Sequence, residues 1–528
     1  MRKRAALASA ALLAGTAAVL STGPANAAAT RYEAEASPAV CTGTVDSDWT
    51  GFSGSGFCNG TNATGAYVQF TVNATAAGTA TLQFRFANGT TTARPADLAV
   101  NGTATGSLSF EGTGGWTGWT TKSVTVPVRS GSNTIRLNPT TAAGLPNLDY
   151  LDAEVTTSST TTPPPTANAL YVAPNGTDGA AGTQSAPTTL TSAISRITPG
   201  GTIYLRGGTY AYSKTVTVPA GSNGTASART TLSAYPGETP VLDFSAMSED
   251  PANRGLVVNA DYWRVYGLTV QRAGDNGIYV GGSHNVIERT VTRYNRDSGL
   301  QLGRISSSTP TSQWPSDNLI LGAESHDNAD SDGEDADGFA AKLTVGSGNV
   351  FRYTVSHNNI DDGWDLYTKT DTGPIGPVTI EDSLSYGNGT LSNGTVNANG
   401  DRNGYKLGGD DIAVNHTVRR SIAYRNGHHG FTWNSNPGSM AVSNNLSIDN
   451  AERNYSWDAG SSVFRNNTSC RFAVSGSNDK TVGDADSGNQ FWSGTNGSRC
   501  ASYSGALAWS FASDGRLVVT IGGRTVSL

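Results

Sequence analysis

The chain has 528 residues, a formal net charge of −7 and a charged fraction of only 15%. This acidic balance argues against nucleic acid as a partner, because phosphates attract basic surfaces. It does not exclude an anionic substrate, since a bound cation can reverse the sign of the local potential. The length allows more than one domain, each with its own core.

The N-terminus has the pattern of a secretion signal. Arg2-Lys3-Arg4 precedes an apolar stretch over residues 5–20, and Ala25-Asn26-Ala27 is the small-x-small pattern that signal peptidases recognise. We expect residues 1–27 to be removed, with a cut after Ala29 as the alternative, and the protein to be secreted. A membrane anchor is the competing interpretation, but this stretch is short and no other apolar run could cross a bilayer.

Four cysteines remain in the exported chain, and four cysteines allow three pairings. Their positions suggest that Cys41 pairs with Cys58 and that Cys470 pairs with Cys500. An oxidising compartment favours disulfides over thiol chemistry. The spacing does not support a zinc site.

Residues 30–155 predict an all-β module. Alternating apolar and polar residues recur over 67–72, 79–86, 123–128 and 133–137, with turns rich in Gly, Asn and Ser between them. Short alternating strands at this spacing are typical of a β-sandwich.

Three motifs of this module carry a resemblance. They are Tyr32-Glu33-Ala34-Glu35, Gly115-Trp116-Thr117-Gly118-Trp119 and Pro146-Asn147-Leu148-Asp149-Tyr150-Leu151-Asp152. The module resembles the carbohydrate-binding jelly rolls of families 6 and 35. This resemblance implies a structural Ca²⁺ held by Glu33, Glu35 and Asp152, and a sugar-binding loop region with Asn147 and Trp119.

Each of these assignments has a plainer alternative. An exposed tryptophan suits the apolar face of a sugar ring, but either tryptophan could belong to the core. Glu33 and Glu35 alternate onto one face of a strand, which could simply face solvent. The sugar that this module prefers stays open, with a plant cell-wall glycan as the expectation.

A linker rich in Ser, Thr and Pro covers residues 156–168, and a second domain follows over residues 169–528. In this domain a strand, a turn and a second short strand ending in Asn recur at irregular intervals. Irregular intervals indicate loops of variable size on a constant coil, which is typical of a parallel β-helix; a sandwich or propeller is the competing fold. The terminal asparagines are expected to stack as a ladder, and they are Asn295, Asn328, Asn358, Asn388, Asn426 and Asn450.

The two ends of this domain differ from its middle. Residues 190–197 are the best helix candidate and would cap the N-terminal end of the β-helix. The segment after Cys470 repeats less, and we expect terminal coils or a cap held by the disulfide.

Carboxylates are concentrated between residues 332 and 406. The stretch contains Ala336-Asp337-Gly338-Phe339, Asp361-Asp362-Gly363-Trp364-Asp365 and Asn403-Gly404-Tyr405-Lys406. Clustered carboxylates repel one another unless a cation lies among them, and Ca²⁺ takes several oxygen ligands. A lysine beside such a cation is favoured in its neutral, basic form.

Together with residues 171–178, these motifs resemble family 9 pectate lyases, which are right-handed parallel β-helix enzymes. The resemblance implies a monomeric enzyme that cleaves polygalacturonate, or pectin, by Ca²⁺-assisted β-elimination. It implies that Lys406 is the base and that the Ca²⁺ ligands are Asp337, Asp361, Asp362 and Asp365. Lys342 is interpreted as a contact to the substrate carboxylate or as a structural partner of an aspartate, and Arg402 as a further substrate contact.

The same aspartates and lysine also allow other interpretations. Aspartates beside glycines are often turn formers, and a single lysine is often a surface charge. Another uronate polymer could be the substrate, or the β-helix could be an adhesin whose coils Ca²⁺ joins. A polygalacturonase needs two carboxylates about 6.5–9.5 Å apart, but the Asn-Thr-Asp and Arg-Ile-Lys signatures of that family are absent. His428-His429 is interpreted as structural, and Trp364 and Tyr367 are interpreted as packing residues rather than as platforms for a sugar ring.

Overall fold

A computed structural model describes residues 29–74, 78–129, 131–157, 168–396, 399–512 and 514–528. The predicted signal over residues 1–27 and most of the predicted linker lie outside these residues. The chain divides into two compact units, Met1–Thr161 and Thr162–Leu528. The exact domain boundaries stay predictions.

The first unit is a β-sandwich of two antiparallel sheets, as predicted. One sheet has, in spatial order, Gly43–Asp46, Phe57–Gly60, Asn147–Thr157, Gly78–Ala87 and Thr120–Val128, with Thr30–Glu33 also paired to Asn147–Thr157. The other has Val40–Cys41, Val68–Ala74, Gly131–Pro139, Arg94–Val100 and Thr103–Phe110.

Alternation builds the core of this sandwich. In Val68–Ala74 the side chains of Val68, Phe70 and Val72 are buried, while the residues between them are not. Successive side chains of a strand point to opposite faces, so one face of each sheet becomes the apolar layer. The Cys41–Cys58 disulfide, which matches the predicted pairing, joins a strand of one sheet to a strand of the other.

The second unit is a parallel β-helix, and the predicted all-β fold class is confirmed. Its three sheets are called sheets I, II and III, because each complete coil contributes one strand to each sheet in that order along the chain. Sheet I contains Ala169–Val172, Thr202–Leu205, Thr230–Ala234, Trp263–Tyr266, Val286–Glu288, Leu319–Leu321, Asn349–Arg352, Val378–Glu381, Thr417–Arg419, Ala441–Ser443, Val463–Arg465 and Asp484–Ala485.

Sheet II contains Gly208–Ala211, Pro240–Asp243, Thr269–Gln271, Val291–Arg293, Glu324–His326, Val355–His357, Leu384–Tyr386, Ile422–Tyr424, Leu446–Ile448 and Thr468–Cys470. Sheet III contains Val216–Val218, Leu256–Val258, Ile278–Val280, Leu300–Leu302, Phe339–Ala341, Trp364–Asp365, Tyr405–Lys406, Phe431–Thr432, Tyr455–Trp457 and Lys480–Thr481. Because each strand pairs with its equivalent in the next coil, side chains at one position form a column along the axis.

The asparagine ladder lies at the turn from sheet II to sheet III. Each amide group donates to the side-chain oxygen of the next coil, at 2.8 Å from Asn295 to Asn328 and 3.0 Å from Asn388 to Asn426. One predicted member was wrong: Asn359 occupies the position, not Asn358. Asn358 has a φ of +53° and turns the chain into the ladder, a left-handed conformation that asparagine tolerates well.

A helix closes the N-terminal end of the β-helix. It spans Leu190–Arg196, close to the predicted 190–197, and the Thr189 hydroxyl caps it by accepting from the Ser192 N–H. Leu190 and Ile194 pack into the apolar interior of the coils. None of the helices in the described part of the chain is long and apolar enough to cross a membrane.

The C-terminal segment first continues the coils, as predicted, with Lys480–Thr481 in sheet III and Asp484–Ala485 in sheet I, and then leaves them. It contains the short 3₁₀ helix Ser498–Ser502 and an antiparallel sheet of Leu507–Phe511, Leu517–Ile521 and Arg524–Thr525. This sheet packs over the outer face of sheet II, where Trp509 Nε1–H donates to Tyr386 at 3.1 Å. The Cys470–Cys500 disulfide ties the 3₁₀ helix to the last strand of sheet II. A second 3₁₀ helix, Thr311–Gln313, lies in a loop before sheet I.

Candidate active site

A four-residue pattern recurs in register just before sheet III. The fourth residue of the pattern is the first residue of a sheet III strand. The third residue is glycine in every copy except the last. The eight copies are 253–256, 275–278, 297–300, 336–339, 361–364, 402–405, 428–431 and 452–455. The three motifs singled out in the sequence are therefore three coils of one column, with different side chains at equivalent positions.

The glycine and the fourth residue of each copy are structural. A Cβ on Gly338 or Gly363 would clash with the serine and asparagine side chains of the neighbouring ladder, so only glycine fits there. The fourth residues are buried and their rings stack along the axis, with 4.7 Å between the centroids of Trp364 and Tyr405 and 4.6 Å between those of Tyr405 and Phe431. Trp364 is thus a packing residue, as predicted.

From Asp337 to His429, the second residues of successive copies form a ladder of acceptors. The backbone N–H of Asp362 donates to Asp337 Oδ1 at 3.3 Å, and that of Asn403 donates to Asp362 Oδ1 at 2.5 Å. The N–H of His429 continues to Asn403 Oδ1 at 3.2 Å, and that of Arg453 to His429 Nδ1 at 3.3 Å. One acceptor atom per coil is enough for this role, so a carboxylate brings a second oxygen and a negative charge that the ladder does not need.

Three carboxylates come together in this column. Asp337, Asp361 and Asp362 each offer an oxygen within 4.8 Å of the others. All three are almost completely buried. Burial, followed by mutual repulsion, raises the pKa of Asp337 and Asp361 well above the usual range, and burial raises the pKa of Asp362 to about 7. The Asp362 Oδ2 atom is buried and accepts no hydrogen bond from the residues that the structure describes.

Two lysines border the cluster, and Asp365 lies between them. Lys342 Nζ is 2.9 Å from Asp337 and 3.4 Å from Asp365. Lys406 Nζ is 3.5 Å from Asp362 and 3.8 Å from Asp365. Burial opposes the charge on both lysines, but the surrounding carboxylates outweigh it and raise the pKa of each above its usual value. The predicted residues of the site therefore meet, with Asp365 outside the group of three.

Sequence reasoning missed Asp401. Its carboxylate is 2.7 Å from Lys406 Nζ, the shortest carboxylate contact of that lysine in the described residues. Its backbone N–H donates to Asp361 Oδ1 at 2.5 Å. Asp401 directly precedes the copy 402–405, but the four-residue pattern does not include that position. The sequence therefore offered no reason to choose it as a site residue.

Arg402 occupies the first position of its copy, equivalent to Asp361. Its backbone N–H donates to Asp361 Oδ1 at 3.1 Å, and its φ is +58°. Its Nε atom is buried, and among the described residues it has no hydrogen-bond partner. Arg402 therefore contacts the cluster through its backbone N–H, while its guanidinium forms no ion pair with the cluster among the described residues.

The two lysines open onto a cleft of about 400 Å³. Tyr367 forms part of its wall, with its hydroxyl donating to Asp410 at 2.7 Å and its ring centroid 5.3 Å from Lys406 Nζ. The lining residues are Glu334, Asp335, Lys342, Leu343, Asp365, Tyr367, Lys369, Asn399, Asp401 and Lys406. Tyr367 is thus exposed to a ligand in the cleft, contrary to the packing role that we predicted for it.

A larger cleft of about 600 Å³ lies on the outer face of sheet I. Its charged groups already neutralise one another: Arg352 and Arg419 bind Glu381, and Arg420 binds Asp382. The smaller cleft, with buried carboxylates and lysines, is the better candidate for chemistry.

The N-terminal module holds a second acidic group. The Ser53 hydroxyl donates to Glu33 Oε2 at 2.7 Å, and the Ser53 N–H donates to Asp149 Oδ1 at 2.9 Å. The Ser55 N–H donates to Glu35 Oε1 at 2.9 Å. Burial raises the pKa of Asp149. Glu33, Glu35 and Asp149 therefore surround one loop.

Asp152, predicted as the third ligand beside Glu33 and Glu35, does not reach them. It forms a two-point ion pair with Arg31, with both N···O distances at 2.8 Å. The antiparallel register explains the error, because it places Arg31 directly opposite Asp152. Asp149, three residues earlier and fully buried, shares the Ser53 loop with Glu33 and also pairs with Arg85.

The two residues predicted to contact sugar are differently exposed. Trp119 is half-buried, with its ring edge-on to Phe57 at 5.4 Å between centroids and its Nε1–H donating to the Thr50 carbonyl at 3.0 Å. Asn147 is only 3% exposed. Of the two, Trp119 has more surface to offer to a ligand.

Comparison with known proteins now identifies the second unit. Residues 170–467 match the family model described as Pel9A-like, right handed beta helix region. The chain belongs to this family. Residues 35–155 match the model of carbohydrate binding module family 6.

Individual relatives agree with this membership. Pectate lyase L of Paenibacillus polymyxa (strain SC2) is 57% identical over 328 residues, which are 62% of this chain and 72% of that protein. The crystal structure of pectate lyase Pel9A aligns with a TM-score of 0.53 and 33% identity over 62% of this chain and 81% of that one. Endo-1,4-beta-xylanase B of Cellvibrio japonicus (strain Ueda107) is 45% identical over 121 residues, 22% of this chain and 20% of that protein. The Pel9A-like chain described here is a polysaccharide lyase.

Proposed function

We propose that this Pel9A-like lyase is a secreted pectate lyase that cleaves polygalacturonate by Ca²⁺-assisted β-elimination. The observation that carries the proposal is the meeting of three buried carboxylates with Lys406 at one end of a cleft. The names of its relatives supply the substrate class, and the acidic cluster supplies the reason for a cation.

The residues of the cluster fit Ca²⁺. Ca²⁺ takes six to eight oxygen ligands from carboxylates, carbonyls and water. Asp337, Asp361 and Asp362 offer carboxylate oxygens close enough to share one ion, and the buried Asp362 Oδ2 accepts no hydrogen bond from the described residues. Asp365 is the fourth proposed ligand, next to Lys342 and Lys406. When bound, the ion would offset the charge of this cluster and of the uronate carboxylate, and so make the C5 proton of the sugar more acidic.

Lys406 is proposed to take that C5 proton. Its side chain is 10% exposed, at the edge of the cleft, so that it can meet a sugar without being fully solvated. The electron pair of the C5–H bond forms the C4–C5 double bond as the bond from C4 to the leaving oxygen breaks. The leaving oxygen gains a proton from solvent, and Lys406 later returns its proton to solvent. No water is added across the bond, and the new end of the chain is unsaturated.

Asp401 is positioned to stabilise the lysine after proton transfer. The ammonium group that forms on Lys406 would lie 2.7 Å from the half-exposed Asp401 carboxylate. Positive charge develops on the base in the transition state, so a fixed carboxylate at this distance favours the transfer. The same contact favours the protonated lysine at rest, which places the best activity at alkaline pH.

Lys342 and Arg402 are the proposed contacts to the substrate. Lys342 is held by Asp337 and Asp365 and still lines the cleft, so it can serve both as a structural partner and as a contact to a sugar carboxylate. Arg402, whose Nε lacks a partner among the described residues, would bind a neighbouring carboxylate.

The N-terminal module is proposed to bind plant cell-wall polysaccharide and to hold a structural Ca²⁺ through Glu33, Glu35 and Asp149. Three carboxylates around the loop at Ser53 support this ion site. Trp119 and Asn147 are the proposed sugar contacts. The sequence pattern of residues 1–27 supports secretion.

The test of the proposed function is ultraviolet absorbance during incubation with polygalacturonate, first with Ca²⁺ and then with a chelator. We expect a rise from the unsaturated product that the chelator abolishes. Lys406→Ala should lower kcat by about a hundred- to ten-thousandfold, the range for loss of a general base. The exposed Lys214 provides the control, since Lys214→Ala should leave kcat unchanged.

Three other outcomes would overturn the proposal in different ways. New reducing ends without absorbance would indicate a hydrolase. Absorbance on another uronate polymer but not on polygalacturonate would change the substrate. No reaction on any uronate polymer would contradict the assignment of Lys406 as a base.

A further inference from the structure

Asp401 contacts both the proposed base and the carboxylate cluster. Its carboxylate binds Lys406 at 2.7 Å, and its N–H donates to Asp361 at 2.5 Å. Its side chain is 51% exposed, and it ends the long turn that begins after Asn388. A half-exposed residue at the end of a long loop needs further contacts to keep one geometry.

His428 supplies such a contact. Its Nδ1 atom is 3.1 Å from the carbonyl oxygen of Asp401, and its Nε2 atom is 2.9 Å from Glu452 Oε2. A carbonyl oxygen and a carboxylate oxygen both accept, so each ring nitrogen donates in its own bond, Nδ1 to Asp401 and Nε2 to Glu452. Glu452 holds the other side of the ring and is itself bound by Arg453. His428 therefore links Asp401 to the next coil.

The register explains why this histidine reaches Asp401. Phe431 pairs with Tyr405 in sheet III, so His428 occupies the position equivalent to Arg402 one coil further along the axis. The long turn that ends at Asp401 precedes Arg402 directly. A side chain at the first position of the following copy thus lies beside that turn.

A metal site is the other use that His428, His429 and Glu452 suggest, since their ligand atoms lie within 4.8 Å of one another. The hydrogen bonds argue against it. The His429 Nδ1 atom accepts from the Arg453 N–H at 3.3 Å, which leaves the hydrogen of the neutral ring on Nε2. Arg453 also competes for Glu452. These partners favour a structural arrangement over a metal.

We propose that His428, held by Glu452, is a positioning residue for Lys406 that acts through the backbone carbonyl of Asp401. The inference rests on the proposed function, because it gives His428 a part in placing the base. Through Asp401, the turn, the Lys406 ammonium and Asp361 become one connected unit. Loss of the His428 bond frees the turn, and the Asp401 carboxylate leaves Lys406.

The two nitrogen atoms of His428 can be tested separately. In His428→Asn the side-chain amide takes the place of Nδ1 and keeps the donor to Asp401, whereas in His428→Gln the longer amide reaches Glu452 instead. His428→Leu removes both bonds. We expect the Asn variant to keep kcat near that of the wild type. The Leu and Gln variants should lose about ten- to a hundredfold in kcat, as for a small misplacement of a catalytic group, with little change in KM.

Two further measurements make this experiment decisive. His284→Leu, at a histidine 39% exposed and remote in sequence from the site, is the control and should leave kcat unchanged. Crystal structures should show Asp401 on Lys406 in the Asn variant and displaced from it in the Leu variant. Equal losses in the Asn and Leu variants, or full activity of the Leu variant, would contradict the positioning role. If the wild type itself does not act on polygalacturonate, the proposed function fails, and the position of Asp401 in the Leu structure still decides the inference.

Discussion

Two coils of the β-helix carry the same local structure and opposite chemistry. Residues 361–364 and 428–431 occupy equivalent positions before sheet III, and each ends in glycine and a buried ring. The second residue of each accepts the N–H of the following coil, to Asp362 Oδ1 in one and to His429 Nδ1 in the other.

Burial acts on these two coils in opposite directions. It raises the pKa of Asp362 to about 7 and lowers the pKa of His429 to about 4. Both shifts disfavour the charged form, as removal from water always does. The histidine can remain neutral there without cost. The aspartate lies beside two more carboxylates, so its ionised form is disfavoured until a cation offsets their charge. The fold thus fixes the position, and the side chain decides which charge that position carries.

The largest effect is expected from making the first coil resemble its neighbour, which has Asn403 at the same position. Asp362→Asn keeps an acceptor for the Asn403 N–H and removes one negative charge. We expect kcat to fall at least about a hundredfold, as when one electrostatic group of an active site is lost. Calorimetric titration with Ca²⁺ should show one binding event fewer than in the wild type, while the site proposed around Glu33 is retained.

Asp458→Asn is the matched control for this variant. Asp458 is half-exposed and paired with Lys480 at 2.6 Å, away from the cluster. Its substitution should change neither the titration nor kcat. Unchanged Ca²⁺ binding in Asp362→Asn would show that the cluster is not the ion site.

A smaller effect, common to both coils, is expected from their glycines. A Cβ on Gly363 or Gly430 would meet a serine hydroxyl and a ladder asparagine. Gly363→Ala and Gly430→Ala should therefore each destabilise the β-helix by about 1–3 kcal/mol, the usual cost of overpacking. Chemical denaturation measures this, and Gly115→Ala, where a Cβ meets nothing within 4 Å, should have no effect. Destabilisation of only one of the two coils would mean that the copies are not equivalent.

Much of this arrangement could be predicted from sequence because it is periodic. Because strands ending in asparagine recur in the sequence, the β-helix and most members of its asparagine ladder could be predicted. The aspartates beside glycine predicted the position of the carboxylate cluster. The choice between Asn358 and Asn359 depends on which residue turns left-handed, and adjacent asparagines give no sequence signal for that choice. Asp152 was assigned in place of Asp149 because the pairing of Arg31 with Asp152 depends on the register of two strands far apart in sequence.

The contacts of Asp401 depend on hydrogen bonds to residues of other coils, which are distant in sequence. Its loop is one of the irregular insertions between sheet II and sheet III, and its path is set by bonds to other coils. Such bonds have no local pattern. Residues on the repeating coils were therefore found from sequence, while residues on the turns between them were not.

The last prediction concerns stability without Ca²⁺, and its sign follows from the raised pKa of Asp362. Its pKa is 3.8 in the usual state and about 7 in the folded chain. Between these values the folded protein holds a proton that the unfolded chain has lost, so stability should fall as the pH rises from about 4 to 7. Thermal unfolding in a chelator should show this decline in the β-helix transition.

The comparison of the two coils supplies the control for this measurement. Asp362→Asn has no carboxylate to ionise at that position, so its melting temperature should vary less with pH than that of the wild type. Excess Ca²⁺ should also flatten the decline, because it binds the ionised cluster of the folded state. An identical pH dependence in the wild type and the variant would mean that other buried groups set it. Asp337 and Asp361, whose pKa values burial also raises, would then be the first to examine, because the lowered pKa of His429 makes stability rise with pH and cannot produce a decline.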